Sequence, residues 1–292
     1  MNNQTIPRNA YPALFSGLML LGVSPILIKL ADAPGIITTF YRMLIGALAL
    51  TPIFLVAFFR GKLLLPRRGM LFAILAGVFL ATDMAFWTSG IMASNATLPT
   101  LTGNLAPIWV GIGAILFFKE KQNVWFWVGV ILAVIGVMCL IGKDILSPGA
   151  TLKGIVYGLF AGIFYSGYQL CTQPGRKHLN TLAFLYLSTV ATTVTSFIYA
   201  LFFQLEFTGY STQTWGYWLA MGLGIQVAGW FMINYSQGHL PASVVSPTLL
   251  GQPVMTAIIA TFMLGEIFSL WQITGGIVIV GGIYLVHFTR GK

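Results

Sequence analysis

The sequence predicts an all-α polytopic membrane protein with ten transmembrane helices arranged as two inverted five-helix repeats. Three observations lead to this prediction. Hydrophobic residues make up 57% of the 292 residues and charged residues only 7%, whereas a soluble domain has roughly 25% charged residues. Apolar stretches of spanning length fill the chain, and its second half echoes its first at an offset of 146, half the length. A water-soluble fold could not bury this much apolar surface.

A transmembrane helix needs about 20 mostly apolar residues. The stretches of this kind give ten predicted spans, at 11–31, 36–59, 70–90, 95–118, 124–141, 152–172, 182–203, 215–236, 242–264 and 268–288. Residues 142–151 form the predicted linker between the halves. Cys139 and Cys171 fall inside apolar runs and supply neither a disulfide framework nor metal-ligand spacing.

The basic residues orient the chain. If the amino end is cytoplasmic, eleven Lys and Arg face the cytoplasm and three face outward: Arg8, Arg60, Lys62, Arg67, Arg68, Lys119, Lys121, Arg176, Lys177, Arg290 and Lys292 against Lys29, Lys143 and Lys153. This positive-inside bias predicts that both termini are cytoplasmic. The Lys and Arg residues that give the net charge of +9 lie in short loops, where they set the topology. We therefore expect no nucleic-acid partner. The amino end shows no cleavage site, so no removable signal peptide is expected.

The duplication appears most clearly in the fourth and ninth predicted spans, which run NLAPIWVGIGAILFFKE and LGQPVMTAIIATFMLGE. The offset carries Pro107 onto Pro253 and Glu120 onto Glu266. Because five spans per half is an odd number, the halves 1–146 and 147–292 must run in opposite senses within one membrane domain. An internally duplicated membrane protein is typical of transporters, with the substrate site near the midplane between the repeats. We interpret the four shared residues as scaffold and hinge.

The chain resembles the drug/metabolite transporter superfamily, in particular its ten-span EamA-type members. The resemblance rests on the five-plus-five duplication, on Arg42 early in the second span, and on the mid-span proline and following glutamate of spans four and nine. It implies alternating access without ATP hydrolysis and a central cavity lined mainly by the first four spans of each half. It does not specify the substrate, since such proteins export amino acids, other metabolites or toxic cations, and relatives carry nucleotide sugars.

Arg42 and Asp83 are the charged pair predicted inside the membrane, each roughly 10 Å below the same face at ~1.5 Å per residue. A charge at this depth is costly and usually faces the bundle interior or a wet cavity. Their repeat counterparts, Ser188 and Gly229, are uncharged, so the scaffold does not demand the pair. Two interpretations remain open: a structural ion pair, or a functional pair in which Asp83 takes up a proton or contacts a cation and Arg42 holds a carboxylate.

Polar and aromatic residues recur at helical spacing on other predicted spans. Trp87 lies one turn after Asp83, where its ring suits an organic cation unless it belongs to the interfacial aromatic belt. The remaining candidates line the cavity or bond neighbouring helices, and they are Asn104 in span four, Tyr165, Tyr168 and Gln169 in span six, and Gln226, Trp230 and Asn234 in span eight. The tryptophans that begin spans are interpreted as belt residues: Trp125, Trp127, Trp215, Trp218 and Trp271.

The sequence contains no phosphate loop, dinucleotide fingerprint or HExxH motif, so we expect no enzyme activity, cofactor or metal. The favoured function is a secondary transporter, exporting a small amphipathic metabolite such as a neutral or aromatic amino acid. The alternatives are an exporter of organic cations or drugs, a nucleotide-sugar carrier, a membrane-embedded enzyme and a structural subunit. We expect the partners to be the solute, membrane lipids and protons as a candidate coupling ion, and the location to be the bacterial plasma membrane.

Overall fold

The computed structural model describes residues 7–94, 97–141, 151–264 and 270–288, and within these residues every regular element is helical. The first half contains six helices: α1 Ala10–Ala31, α2 Gly35–Phe59, α3 Arg67–Ala93, α4 Thr97–Gly103, α5 Ala106–Phe118 and α6 Val124–Ile141. The second half contains seven and a π-helix: α7 Leu152–His178, α8 Thr181–Phe202, α9 Thr212–Ala220, the π-helix Met221–Gly229, α10 Trp230–Gln237, α11 Ala242–Leu249, α12 Gln252–Leu264 and α13 Leu270–Phe288. The predicted all-helical fold is confirmed.

Eight helical segments of the described chain are long and apolar enough to cross a membrane. Helix α6 is apolar but shorter. Helix α7 has 27 residues, but tyrosine, glutamine and threonine interrupt its apolar sequence and its last turn is basic. The predicted count of ten spans includes both helices, and it stays a prediction. Glu266 and most of the predicted linker lie outside the described residues.

The two halves break a helix at equivalent positions. The offset of 146 carries the first residue of α5, Ala106, onto the first residue of α12, Gln252. In both halves a helix stops just before the mid-span proline, so α4 and α5 are separated by residues 104–105 and α11 and α12 by residues 250–251. Proline cannot donate the backbone hydrogen bond that would continue the helix. The two prolines therefore mark equivalent helix breaks, as their interpretation as hinges requires.

Helices α6 and α13, which are related by the offset, pack so closely that the backbone of one contacts the backbone of the other. A side chain at Gly136 would lie 2.6 Å from the Ile279 nitrogen, and one at Gly282 would lie 2.5 Å from the Gly129 carbonyl oxygen. Contacts that join the start of one helix to the end of the other make the pair antiparallel. An inverted duplication requires this arrangement of two equivalent helices.

One interpretation of the tryptophans is wrong. Trp218 is fully buried, its ring stacks on Tyr41 at 4.4 Å, and its Nε1 donates to Thr38 Oγ1 at 3.2 Å. Trp125 and Trp271, by contrast, are each 60% exposed, as expected of belt residues. Position at the start of a span could not separate the two cases, because α9 packs on α2 and α1 whereas α6 and α13 present their first turns outward.

Candidate functional site

The buried charges of the described chain lie on the neighbouring helices α2 and α3. Arg42 lies two turns into α2 and Asp83 lies about three turns before the end of α3, and each side chain is only 6% exposed. The two groups interact electrostatically. The structure thus brings together the pair that the sequence singled out, in the interior of the bundle.

The Arg42 guanidinium directs its hydrogen bonds away from the carboxylate. Nη1 donates to Ser24 Oγ at 3.3 Å, and Nη2 donates to Met84 Sδ at 3.6 Å. Its Nε is buried without a partner among the described residues. Ser24 was missed in the sequence, although a serine directly before Pro25 in an otherwise apolar span is a signal that could have identified it. The guanidinium keeps part of its donor capacity free for another group.

The Asp83 carboxylate has no hydrogen-bond partner within the part of the chain that the structure describes. Besides Arg42, it interacts electrostatically with Tyr165 of α7. Burying a carboxylate is costly unless it is paired and hydrogen-bonded. Arg42 offsets only part of this cost at Asp83.

Three aromatic rings form a wall beside this pair. Tyr165 and Tyr168 of α7 stack with their ring centroids 6.1 Å apart and their planes 12° apart. Trp230 of α10 meets Tyr168 edge-on at 5.3 Å and 88°. The Tyr168 hydroxyl donates to Asn234 Oδ1 at 3.4 Å, which joins α7 to α10. Four of the predicted site residues are therefore contiguous.

Gln169 completes this group from α7, one turn after Tyr165. It is fully buried, and neither its Nε2 nor its Oε1 has a hydrogen-bond partner in the described residues. Buried amides are almost always hydrogen-bonded, so each exception calls for an explanation. A polar ligand at the charged pair and the aromatic wall would supply the missing partner.

Other predicted site residues already have hydrogen-bond partners. Trp87 Nε1 donates to Thr100 Oγ1 at 3.1 Å, which ties α3 to α4 and favours the bundle interior over the interfacial belt. Asn104 Nδ2 donates to the Thr100 carbonyl at 2.9 Å beside the helix break. Gln226 Nε2 donates to Thr189 Oγ1 at 2.9 Å, which joins the π-helix to α8. For Gln226, the interhelical alternative is the better supported one.

Thr189→Val should lower the free energy of unfolding by about 0.6 kcal/mol, the average for a polar pair between membrane helices, because the Gln226 amide then loses its partner. Solute flux should be unchanged. The matched control is Thr193→Val, since Thr193 Oγ1 donates only to the Thr189 carbonyl of its own helix at 2.8 Å. Unfolding in mixed detergent micelles measures both variants. A large loss of flux at unchanged stability would instead place Gln226 in the cavity.

Glu120, predicted as scaffold, lies apart from the charged pair. Its carboxylate accepts hydrogen bonds from Ser243 Oγ of α11 at 2.6 Å and from Gln173 Nε2 of α7 at 3.2 Å. Sequence reasoning missed Gln173 because one polar residue near the end of a helix carries no pattern. Its proximity to Glu120 arises only from the packing of the two halves.

The family comparison agrees with this architecture. The model of the EamA-like transporter family matches residues 9–142 and 152–288. An uncharacterized transporter of Bacillus subtilis, YoaV, is 23% identical over 89% of this chain and 90% of its own length. An uncharacterized transporter of Archaeoglobus fulgidus is also 23% identical, over 95% of this chain and 96% of its own. An S-adenosylmethionine uptake transporter of Rickettsia felis is 21% identical over 87% of this chain and 83% of its own.

Among solved structures, one crystal structure superimposes with a TM-score of 0.80 over 97% of this chain and 99% of its own, at 16% identity. At this identity the likeness establishes the fold. The names of the family and of these relatives indicate transporters rather than enzymes. The chain belongs to the EamA-like transporter family and is an integral, multi-pass membrane protein.

Proposed function

We propose that this protein is a secondary transporter that moves a small amphipathic metabolite, such as a neutral or aromatic amino acid, out of the cell by alternating access. The observation that carries the proposal is the buried Asp83 carboxylate, which accepts no hydrogen bond from the described residues, together with the Arg42 guanidinium, whose buried Nε has no partner there. An amino acid brings an ammonium group for the carboxylate and a carboxylate for the guanidinium. Hydrogen bonds between such ionised groups are the strong ones.

The aromatic wall supports a substrate with an apolar part. Tyr165, Tyr168 and Trp230 offer ring faces and edges beside the charged pair, and Gln169 offers a free amide. Ligand sites of this kind combine mostly apolar surfaces with a few convergent polar groups. The ammonium group would also gain cation–π stabilisation from the rings.

Alternating access requires two halves that rock about the site. The helix breaks before Pro107 and Pro253 and the antiparallel packing of α6 on α13 support an inverted pair of repeats, 1–146 and 147–292, with both termini cytoplasmic. Asp83 is the group we assign to proton coupling, since it is the buried carboxylate that faces the solute site. Bacterial relatives support a location in the plasma membrane.

A second candidate substrate class is organic cations. The free Asp83 carboxylate beside aromatic rings favours it, and the Rickettsia felis relative is named for S-adenosylmethionine, which carries both an amino-acid group and a sulfonium cation. The two classes differ in their need for Arg42. Arg42→Gln should reduce the flux of amino acids strongly and leave the flux of cations without a carboxylate nearly unchanged.

The test is transport by purified protein in liposomes, with and without a pH gradient. The panel contains neutral and aromatic amino acids, S-adenosylmethionine, a quaternary ammonium compound and a nucleotide sugar. We expect flux of an aromatic or neutral amino acid that responds to the gradient. If no member moves and none raises the thermal unfolding midpoint, the transport proposal is wrong.

A further inference from the structure

The end of α5 carries Glu120 across to the second half of the chain. Lys119 adopts a left-handed conformation with φ of 54°, and the Glu120 N–H donates to the Ala114 carbonyl at 3.1 Å. This closure of the helix end turns the chain sharply. It aims the Glu120 side chain at the start of α11 instead of along the α5 axis.

The Glu120 carboxylate meets a favourable environment there. Ser243, which donates at 2.6 Å, lies in the first turn of α11 after Pro241. The backbone N–H groups of a first helical turn have no partners within the helix, and a negative charge near them is stabilised. Gln122 Nε2 also donates to the carboxylate, at 3.0 Å, from the same connecting segment.

Gln173 of α7 bridges the carboxylate and the helix start. Its Nε2 donates to Glu120 Oε1 at 3.2 Å, and its Oε1 accepts from the Ala242 backbone N–H at 2.8 Å. Three helices are therefore tied at one point, with α5 from the first half and α7 and α11 from the second. The repeat counterpart of Gln173 is Leu27, so this bridge is not part of the duplicated scaffold.

Burial differs between the two equivalent half-helices. Every residue of α11, Ala242–Leu249, is buried, whereas Thr100, Thr102 and Gly103 of α4 are partly exposed. Because the end of α5 contacts the start of α11, the two broken helices run in opposite directions, and α4 begins at the other end of the bundle. The described conformation is thus closely packed at the Glu120 end and looser along α4.

We propose that Glu120, Gln173 and Ser243 form a gate that holds the two halves of the chain together at one end and must open for solute to pass there. This inference rests on the proposed transport function. The gate is held by charge-assisted hydrogen bonds between the halves, so a rocking motion of one half against the other breaks it as a unit. The positive-inside pattern of the loops assigns this end to the cytoplasmic face.

The first test measures opening without transport. In a Cys139→Ala, Cys171→Ala background, Ser246→Cys places a thiol one turn after Ser243, where the native side chain is 2% exposed. Gln173→Leu and Ser243→Ala should each raise the labelling rate of this thiol by N-ethylmaleimide about tenfold, the shift expected when a hydrogen bond to a charged group is lost. Gln122→Ala is the matched control, because its donor reaches the same carboxylate without crossing between the halves. Equal labelling rates in the Ser246→Cys background and in its Gln173→Leu, Ser243→Ala and Gln122→Ala variants would overturn the gate.

The second test locks the gate. Glu120→Cys with Ser243→Cys in the same cysteine-free background can be cross-linked by oxidation, and flux should fall to the level of empty liposomes and recover on reduction. Cross-linked protein that transports as fast as reduced protein would overturn the proposal. If no variant carries solute while labelling still responds to Gln173→Leu, the transport function fails, although the three residues still hold this end of the bundle closed.

Discussion

Asp83→Asn should abolish the dependence of flux on the pH gradient and weaken solute binding by about 30-fold or more, equivalent to at least about 2 kcal/mol. In the solute-bound state Asp83 would bond the ammonium group, and truncating one partner of a buried, hydrogen-bonded charge pair typically costs 2–5 kcal/mol. Asparagine keeps the size of the side chain, but its amide does not take up a proton near neutral pH and carries no charge to balance an ammonium group. The measurement is uptake into proteoliposomes at several internal and external pH values, together with solute-induced shifts of thermal unfolding.

A purely structural ion pair would give a different result. A second substitution, at Arg42, distinguishes a structural pair from a pair that binds solute. If the pair only stabilises the bundle, Asp83→Asn leaves an uncompensated buried Arg42 and lowers stability by about 3–5 kcal/mol, and the double variant with Arg42→Gln restores both stability and flux. If the pair binds solute, the double variant regains stability while flux stays lost. Such a cycle isolates the coupling between neighbouring residues.

Met84→Leu is the matched control for these variants. It keeps the apolar volume next to Asp83 and removes only the sulfur that accepts from Arg42 Nη2 at 3.6 Å. Its flux should remain close to that of the unmodified protein. Normal transport by Asp83→Asn across the whole pH range would contradict the assignment of proton coupling to this carboxylate.

Features that depend on residue type and on spacing along the chain were predictable from the sequence. The helix breaks before Pro107 and Pro253 follow from local backbone chemistry, and the equivalent starts of α5 and α12 follow from the offset. The interior position of Arg42 and Asp83 follows from the cost of exposing a charge to lipid. Each of these depends on residue type and spacing along the chain.

Features that depend on packing between distant segments were not predictable. Glu120 accepts from Ser243 across 123 positions, and Gln226 donates to Thr189 of another helix. Trp218 lies at the start of a span as belt tryptophans do, yet it is fully buried and stacks on Tyr41 of α2. Periodicity identifies which face of a helix is polar, but it does not identify which neighbour satisfies that face.

The second large effect is expected at Gly282, where α13 touches α6. A Cβ at this position would lie 2.5 Å from both the Ala133 nitrogen and the Gly129 carbonyl oxygen. These are backbone atoms and cannot rotate away, so Gly282→Ala must push the helices apart. Overpacking of this kind typically costs about 1–3 kcal/mol. Small residues at helix interfaces in membranes act by permitting this close approach.

Gly281 provides a control one residue away. A Cβ there meets no atom within 4 Å, and alanine favours a helix over glycine by about 1 kcal/mol, so Gly281→Ala should match or slightly exceed the stability of the unmodified protein. Thermal unfolding in detergent compares the two variants directly. Equal midpoints for Gly281→Ala and Gly282→Ala would show that α6 and α13 are free to separate. A lower midpoint for Gly282→Ala alone would show that the stability of the protein depends on this backbone contact between the two halves.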